Sequence, residues 1–241
     1  MLEVHDVSKW FGGNAVLNHI SLAIEPGDVV GLIGPNGAGK TTLFNVISGF
    51  YRTKTGYVKF DNIDITRLNP EIICMLGLCR TFQITKPFSN IPVIKNVMIG
   101  ALSREKTLKK AERKAEEILE FVGLCGKRDL LARNLTIADR KRLEIARGLA
   151  TSPKLFLLDE VMAGLNPTEL QEMTRLMRNL ADSGIALFII EHIMGVIMRV
   201  SHRIIVLNYG EKIAEGEPSQ IVSDQKVIKA YLGEEYLIAQ G

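Results

Sequence analysis

The segment from Gly34 to Thr41 carries residues that can bind phosphate groups. It has a glycine at each end and Lys40-Thr41 after the second glycine, which is the spacing of the phosphate-binding P-loop. Glycines allow backbone N–H groups to point at phosphate oxygens, the Lys40 ammonium can pair with the β- and γ-phosphates, and the Thr41 hydroxyl can bind Mg²⁺. We therefore expect the segment to bind a nucleoside triphosphate, with ATP as the first candidate. The predicted ATP-binding residues are Gly34, Pro35, Asn36, Gly37, Ala38, Gly39, Lys40, Thr41 and Thr42.

Two further segments place acidic and basic side chains at the ends of apolar runs. Leu157-Leu158 leads into Asp159 and Glu160, and a later apolar run leads into Glu191 and His192. An acidic residue at a strand end can hold Mg²⁺ through its water shell, which is the role predicted for Asp159. A carboxylate one residue further on can polarise a water molecule for attack on the γ-phosphate, so we predict that Glu160 is a general base. His192 could reach the same γ-phosphate as a hydrogen-bond donor.

The elements that must position these residues alternate between strands and helices. Val29–Ile33 before the P-loop is predicted to be a buried strand, and the residues from Thr41 onward a helix whose N-terminus faces the phosphates. Nearly continuous apolar strands are predicted at 155–159, 185–190 and 203–207, separated by helical stretches. Such strands indicate a parallel sheet covered on both faces.

The rest of the chain is predicted to add two smaller parts to this core. Residues 2–24 form short β-like runs with a turn at 12–14, which favours a small antiparallel sheet beside the nucleotide site. Residues 90–150 are mostly helical by pattern, and one amphipathic helix has an apolar face made of Leu108, Ala111, Ala115, Ile118, Leu119 and Val122. We predict one α/β domain, residues 1–241, with a helical subdomain at about 88–150 inserted into the core.

Composition disfavours several classes of protein. The 241 residues are 46% hydrophobic and carry a net charge of +3 with acids and bases interspersed, which disfavours a nucleic-acid-binding protein. Three cysteines without paired metal-ligand spacing predict reduced thiols rather than a disulfide or a zinc site. We see no apolar run near the ~20 residues of a membrane span and no signal peptide, so a role at a membrane would require a partner.

Taken in order along the whole chain, these motifs resemble those of the ATP-binding cassette (ABC) ATPases, which have a P-loop NTPase core. The resembling elements are Phe11 before Gly12-Gly13, the P-loop, Gln83, the region from Leu135 to Arg147, Asp159-Glu160, Ala163-Gly164-Leu165-Asn166 and His192. The resemblance implies that Phe11 stacks on adenine, with Trp10 as the neighbouring alternative. It also implies that Gln83 contacts Mg²⁺ and senses a membrane partner, and that His192 contacts the γ-phosphate.

The resemblance further implies that two cassettes dimerise head to tail, so that a signature segment of one subunit closes over the ATP of the other. Here that segment is Leu135, Thr136, Ile137, Ala138 and Asp139, where the family pattern is Leu-Ser-Gly-Gly-Gln. Both glycines are absent, and Asn166 completes the predicted trans contacts. Asp139 could place negative charge near the phosphates, or it could cap the helix that begins there. If the partner is a different cassette, we expect the site completed by this altered signature to be the slower one.

Within the family the chain looks similar to the LivG-type ATPases of branched-chain amino-acid importers. The motifs that carry this similarity are Arg80-Thr81-Phe82-Gln83, Arg142 to Arg147, Ala163 to Glu169 and Ala230-Tyr231-Leu232-Gly233-Glu234. The implied partners are membrane permease subunits, a second cassette and, indirectly, a solute-binding protein, with the chain on the cytoplasmic face of the cell membrane. The transported solute could also be urea or an amide. An exporter or lipopolysaccharide-extraction ATPase, and a clamp that binds ATP with little hydrolysis, remain as alternatives.

Overall fold

The computed structural model of the chain describes residues 1–81 and 87–232. Gln83, a predicted site residue, lies outside these described ranges. Within them, no helix combines the length and apolar character that crossing a lipid bilayer requires.

The described residues form strands and helices that alternate along much of the chain. The strands are β1 (Leu2–Phe11), β2 (Asn14–Ile24), β3 (Val29–Ile33), β4 (Thr55–Phe60), β5 (Ile63–Asp64), β6 (Leu78–Arg80), β7 (Leu155–Asp159), β8 (Ala186–Ile190), β9 (Arg203–Asn208) and β10 (Glu211–Gly216). The helices are α1 (Lys40–Ile47), α2 (Pro70–Leu76), α3 (Val93–Ala101), α4 (Leu108–Phe121), α5 (Ile137–Leu149), α6 (Pro167–Asp182), α7 (Met194–Val200), α8 (Pro218–Ser223) and α9 (Gln225–Leu232).

A six-stranded sheet in the order β10-β9-β3-β8-β7-β6 forms the centre of the molecule. Its strands pair in parallel from β9 to β6, and β10 adds to the edge antiparallel to β9. Strands β3, β7 and β8 are buried along their whole length. This confirms the parallel sheet predicted from their continuous apolar sequences, because both faces of such a sheet are covered.

The two faces of this sheet pack into two different hydrophobic cores. In β7, Phe156 and Leu158 belong to the core shared with most of the helices, whereas Leu155 and Leu157 belong to the core shared with α1 and the second sheet. This division follows from the period of two along a strand, which sends successive side chains to opposite faces.

The second sheet is antiparallel, in the order β2-β1-β4-β5, as predicted for the N-terminal part of the chain. Phe11 pairs with Asn14, so Gly12 and Gly13 form the turn between β1 and β2. The resulting α/β architecture, a mostly parallel sheet with an antiparallel sheet on one side and helices on both, is that of a P-loop NTPase.

The segment predicted as a helical subdomain, 88–150, contains α3, α4 and α5. The predicted apolar face of α4 is largely correct, because Ala111, Ala115, Ile118 and Leu119 are buried and Val122 is buried just after the helix. The prediction is wrong for Leu108, which is 67% exposed at the N-terminal end of α4, as its first residue. Buried residues of this segment share one continuous core with the parallel sheet, and the boundary of a separate subdomain stays a prediction.

The carboxyl ends of the parallel strands lie at one edge of the central sheet. The P-loop follows β3, Glu160 follows β7 and His192 lies two residues after β8, while Arg80 ends β6. Because neighbouring parallel strands end on the same side, the sheet brings these four segments together.

Candidate functional site

The P-loop occupies the turn between β3 and α1, and its end glycines are required by close backbone contacts. Gly34 has a φ of 149°, and a Cβ atom there would lie 2.1 Å from the carbonyl oxygen of Leu207. Gly39 has a φ of 101°, and its Cβ atom would lie 2.7 Å from the carbonyl oxygen of Val16. Both positions therefore exclude larger residues, and the loop can keep its backbone N–H groups close to an anion.

Lys40, the first residue of α1, folds back across the loop. Its Nζ atom donates hydrogen bonds to the carbonyl oxygens of Gly34, at 2.7 Å, and Pro35, at 3.0 Å. Burial lowers the pKa of Lys40 below its usual range, while the negative charges of Glu160 and Asp159 oppose that change. A buried ammonium group on a loop of this shape is well placed to bind a phosphate oxygen.

Asp159 ends β7 in the interior of the protein, with its side chain fully buried. Its Oδ2 atom accepts a hydrogen bond from Arg80 Nη2 at 2.9 Å. Burial raises the pKa of Asp159, and the positive charge of Arg80 acts in the opposite direction. In the part of the chain that the structure describes, Asp159 Oδ1 is buried without a hydrogen-bond partner.

This unsatisfied carboxylate oxygen fits the predicted Mg²⁺ site. A buried acceptor without a partner is unfavourable unless an ion or a water molecule completes its bonding, and Mg²⁺ usually keeps waters that carboxylates can bind. Thr41, the other described residue predicted to bind the ion, is exposed in the first turn of α1. Its hydroxyl is therefore accessible to a bound ion.

Glu160 and His192 are brought into direct contact by the ends of β7 and β8. His192 Nε2 lies 2.7 Å from Glu160 Oε1, and the Glu160 side chain is 16% exposed. The Glu160 N–H group donates to the carbonyl oxygen of Ile190 at 2.9 Å, which fixes the turn after β7 to the neighbouring strand. A carboxylate held in this way, partly exposed and beside an imidazole, can accept a proton from a water molecule.

One cleft contains the two predicted catalytic side chains and much of the P-loop. It is lined by residues 36–42 together with Val16, Glu160 and His192. Sequence reasoning named each of these except Val16, an apolar residue of β2. The cleft thus combines an anion-binding backbone, a buried cation and a carboxylate–imidazole pair.

Phe11 lies outside the set of residues that line this cleft. It is 44% exposed at the end of β1. Its ring makes an edge-on contact with Tyr51, with the centroids 5.2 Å apart, and Lys9 lies over both rings. An exposed aromatic pair can stack on a base, so adenine stacking by Phe11 stays a prediction.

The signature segment lies at the start of α5 and is stabilised by its own side chains. Thr136 is the N-cap residue, and its Oγ1 atom accepts the Asp139 N–H bond at 3.2 Å. Asp139 Oδ2 accepts hydrogen bonds from Thr136 Oγ1 at 2.8 Å and Lys127 Nζ at 2.5 Å. Burial acts to raise the pKa of Asp139, but these bonds outweigh burial and lower it.

These contacts favour the capping role of Asp139 over that of a free negative charge facing phosphate. Within the segment Leu135 and Ala138 are buried, whereas Ile137 is 63% exposed. Asn166 is also a helix cap, since its side chain accepts N–H bonds from Thr168 and Glu169 at the start of α6. The segment 135–139 and Asn166 lie outside the lining of the chain's own cleft, and their contacts with a second cassette stay predictions.

Three charged residues of the site had no role assigned from the sequence. They are Arg80, which pairs with Asp159, Lys141, which donates to the Glu160 carbonyl at 2.9 Å, and Glu191, which accepts the Met162 N–H bond at 2.8 Å. The available signal for Arg80 and Glu191 was a charge at the end of an apolar strand. No local pattern marks Lys141, because its role depends on how α5 packs.

Comparison with known proteins gives two family matches. The family described as ABC transporter matches residues 17–163, and the family described as branched-chain amino acid ATP-binding cassette transporter matches residues 211–236. The second match covers β10, α8 and α9 in the C-terminal part of the chain. The first match therefore includes the P-loop and Asp159-Glu160, and the second includes the C-terminal helices.

Individual relatives agree over nearly the full length. The high-affinity branched-chain amino acid transport ATP-binding protein LivG of Escherichia coli K12 is 37% identical over 97% of this chain and 98% of its own. The probable branched-chain amino acid transport ATP-binding protein LivG of Archaeoglobus fulgidus is 36% identical over 97% of this chain and 95% of its own.

Solved structures of similar proteins share the fold. A nucleotide-free ATP-binding cassette from an ABC transporter superposes with a TM-score of 0.88 at 33% identity, covering 97% of this chain and 99% of that one. The ADP conformation of the ATP-binding cassette MJ1267 gives a TM-score of 0.88 at 34% identity, with the same coverage.

Proposed function

The chain belongs to the ABC transporter family, and on that premise we propose that it is the ATP-hydrolysing nucleotide-binding subunit of an importer for branched-chain amino acids or a related small solute. The observation that carries the proposal is the contact of Glu160 with His192, 2.7 Å apart in the cleft that the P-loop lines. The contact supports the proposal because a carboxylate that can act as a general base then lies beside the predicted phosphate-binding loop.

The P-loop, Glu160, His192 and Phe11 have distinct parts in the proposed reaction. The N–H groups of the P-loop and the Lys40 ammonium bind the β- and γ-phosphates and hold the nucleotide for in-line attack. Glu160 takes a proton from the attacking water, and His192 orients the Glu160 carboxylate and donates to the γ-phosphate. Adenine would stack on Phe11.

The proposed Mg²⁺ ligands are the Thr41 hydroxyl, Asp159 through its unsatisfied Oδ1 atom, and Gln83. When bound, Mg²⁺ supplies Lewis-acid polarisation of the phosphoryl oxygens. Arg80 donates a hydrogen bond to Asp159 Oδ2, so Oδ1 is the oxygen of this carboxylate that is left to accept a bond.

The proposed partners are integral membrane permease subunits, a second ABC cassette in a head-to-tail dimer and, indirectly, a solute-binding protein. In that assembly the chain would lie on the cytoplasmic face of the membrane. Leu135, Thr136, Ile137, Ala138, Asp139 and Asn166 would complete the ATP site of the second cassette. The similarity to LivG proteins and the match at residues 211–236 support branched-chain amino acids as the solute class.

Proteoliposomes containing the chain with its permeases and second cassette test this proposal. We expect ATP-dependent uptake of radiolabelled leucine when the solute-binding protein is present, together with ATPase stimulation. Uptake of urea or an amide in place of leucine would change the proposed solute class but leave the proposed ATPase function standing. Absence of any ATPase activity would contradict the proposal and favour a clamp that only binds ATP.

The same assembly tests whether the two sites are unequal. The altered signature predicts that Glu160→Gln in this chain abolishes most turnover, whereas the equivalent change in a different partner cassette has a smaller effect. Equal loss from either change would contradict this inequality.

A further inference from the structure

The backbone of Glu160 has a conformation that is uncommon for a residue with a side chain. Its φ is +51°, in the left-handed region. Residues with such angles persist where the surroundings hold them, and they often occur at functional sites. The conformation of Glu160 matters for the proposed function because it sets the direction of the carboxylate that contacts His192.

Lys141 provides one of the contacts that hold this turn. It projects from α5, and its Nζ atom donates to the carbonyl oxygen of Glu160 at 2.9 Å. The residue is only 9% exposed, so a charged group has been brought into the interior for this contact. Burial lowers the pKa of Lys141, and Glu191 is the largest of the negative charges that oppose the change. A lysine ammonium that donates to a carbonyl oxygen forms a charge-assisted hydrogen bond.

Glu191 is a second buried residue that contacts the same turn. It is 2% exposed, immediately precedes His192, and accepts the N–H bond of Met162 at 2.8 Å. Glu191 and Lys141 are thus two buried ionisable side chains that both contact the turn at 160–162. Their hydrogen bonds to the Glu160 carbonyl and the Met162 N–H group fix both ends of that turn.

We propose that Lys141 is a positioning residue for ATP hydrolysis, which holds the Glu160 turn so that the carboxylate stays against His192. This inference rests on the proposed function. Lys141 also lies five residues after Thr136, on the helix whose first turn is the signature segment. Movement of α5 would therefore be transmitted through the Lys141 ammonium to Glu160, which couples the segment facing a second cassette to the chain's own general base.

A purely structural role for Lys141 makes a different prediction from a positioning role. If the residue only stabilises the fold, its removal lowers the free energy of unfolding and leaves the turnover of the folded protein unchanged. If it positions Glu160, its removal lowers kcat with little effect on nucleotide affinity, and the effect disappears once Glu160 cannot act as a base.

The test uses the full-length chain with its transporter partners, and four variants. Lys141→Met removes the charge at similar length, Lys141→Arg keeps a cationic donor, Glu160→Gln removes the base, and Lys141→Met/Glu160→Gln combines two changes. Lys109→Met, at an exposed position of α4, is the matched control. Steady-state ATPase gives kcat and KM, a fluorescent ATP analogue gives Kd, and circular dichroism fixes a temperature at which every variant is folded.

We expect Lys141→Met to lower kcat at least ~10-fold with Kd within about twofold of the wild type, as for loss of alignment rather than of binding. Lys141→Arg should recover much of the rate, and Lys141→Met should have no further effect in the Glu160→Gln background. A wild-type kcat in Lys141→Met would overturn this inference, and so would an equal fold-loss of kcat from Lys141→Met in the wild-type and Glu160→Gln backgrounds. Either result would leave the proposed function standing. A wild-type rate no higher than that of Glu160→Gln would overturn the proposed function as well.

Discussion

His192 Nε2 and Glu160 Oε1 lie 2.7 Å apart although the residues come from different strands, with β7 ending just before Glu160 and β8 just before Glu191. The central sheet places these strands side by side, with Asp159 paired to Ile190. The relationship therefore depends on the parallel register and on the turn at Glu160, and it connects the fold to the proposed chemistry.

His192→Ala is expected to lower kcat by about 10²-fold or more, since the variant loses the group that orients the Glu160 carboxylate. Nucleotide affinity should change less, because the P-loop and Lys40 are untouched. Steady-state ATPase and equilibrium binding of a fluorescent ATP analogue separate the two effects. His19→Ala, at an exposed position of β2, is the control, and an unchanged kcat in His192→Ala would refute the assigned role.

Arg80→Met is expected to lower the free energy of unfolding by about 3–5 kcal/mol, because it leaves the buried Asp159 carboxylate without its cationic partner. Arg80 is itself 95% buried at its side chain, so solvent cannot replace the interaction. Urea unfolding followed by circular dichroism measures the change. Arg113→Met removes an exposed ion pair with Glu117 and should have little effect. A loss below about 1 kcal/mol in Arg80→Met would contradict this account of the pair.

Glu191 should make stability depend on pH in a defined direction. Burial raises its pKa from 4.5 to about 7, opposed by the Met162 N–H bond and by the charge of Lys141, and reinforced by the charge of Glu160. The folded protein then binds more protons than the unfolded chain between these values, so this group's contribution to stability falls as pH rises from about 4.5 to 7.

Glu191→Gln removes this dependence while keeping an acceptor for the Met162 N–H bond. Relative to the wild type, the variant should therefore gain stability as the pH is raised, by up to about 3 kcal/mol across the interval. Urea unfolding of both proteins at pH 5 and pH 8 provides the comparison. A stability difference that stays constant between the two pH values would be inconsistent with the raised pKa.

Thr136→Ala removes the side chain that caps α5 and should lower the free energy of unfolding by about 1 kcal/mol. Thr136→Ser keeps the hydroxyl that accepts the Asp139 N–H bond and should stay close to the wild type. Thermal or urea unfolding measures both. Equal stability of the alanine and serine variants would show that the cap contributes nothing.

The parts of the site that depend on local sequence could be predicted, whereas those that depend on packing could not. Gly34 and Gly39 follow from the spacing of the P-loop, and the structure gives the physical reason in the two backbone carbonyls that a Cβ atom would approach. The contact between Glu160 and His192 could be anticipated because both follow apolar strands, and ends of neighbouring parallel strands meet.

Lys141 and Asp139 illustrate the limit of sequence reasoning. Lys141 looks like one member of a basic run on α5, and only the packing of that helix shows that its Nζ atom reaches the Glu160 carbonyl. For Asp139, two roles were open from the sequence. Its carboxylate accepts hydrogen bonds from Lys127, 12 residues earlier in the chain, and from Thr136, the N-cap residue of α5. These bonds favour the structural role.

Leu108 shows the same limit within a single helix. Periodicity predicts the apolar face of α4 but cannot show that Leu108, at the end of the helix, is exposed while Ala111, one turn further on, is buried. The fold class was easier to predict, because it rests on five-residue strands that are almost entirely apolar and on their alternation with helices.

The most direct test of the central claim is the ATPase rate of Glu160→Gln, measured beside its affinity for ATP. If Glu160 is the general base, hydrolysis should fall by at least ~10²-fold while ATP binds as in the wild type. Glu120→Gln, an exposed change of the same kind on α4, should retain full activity. Hydrolysis by Glu160→Gln at the wild-type rate would contradict the account.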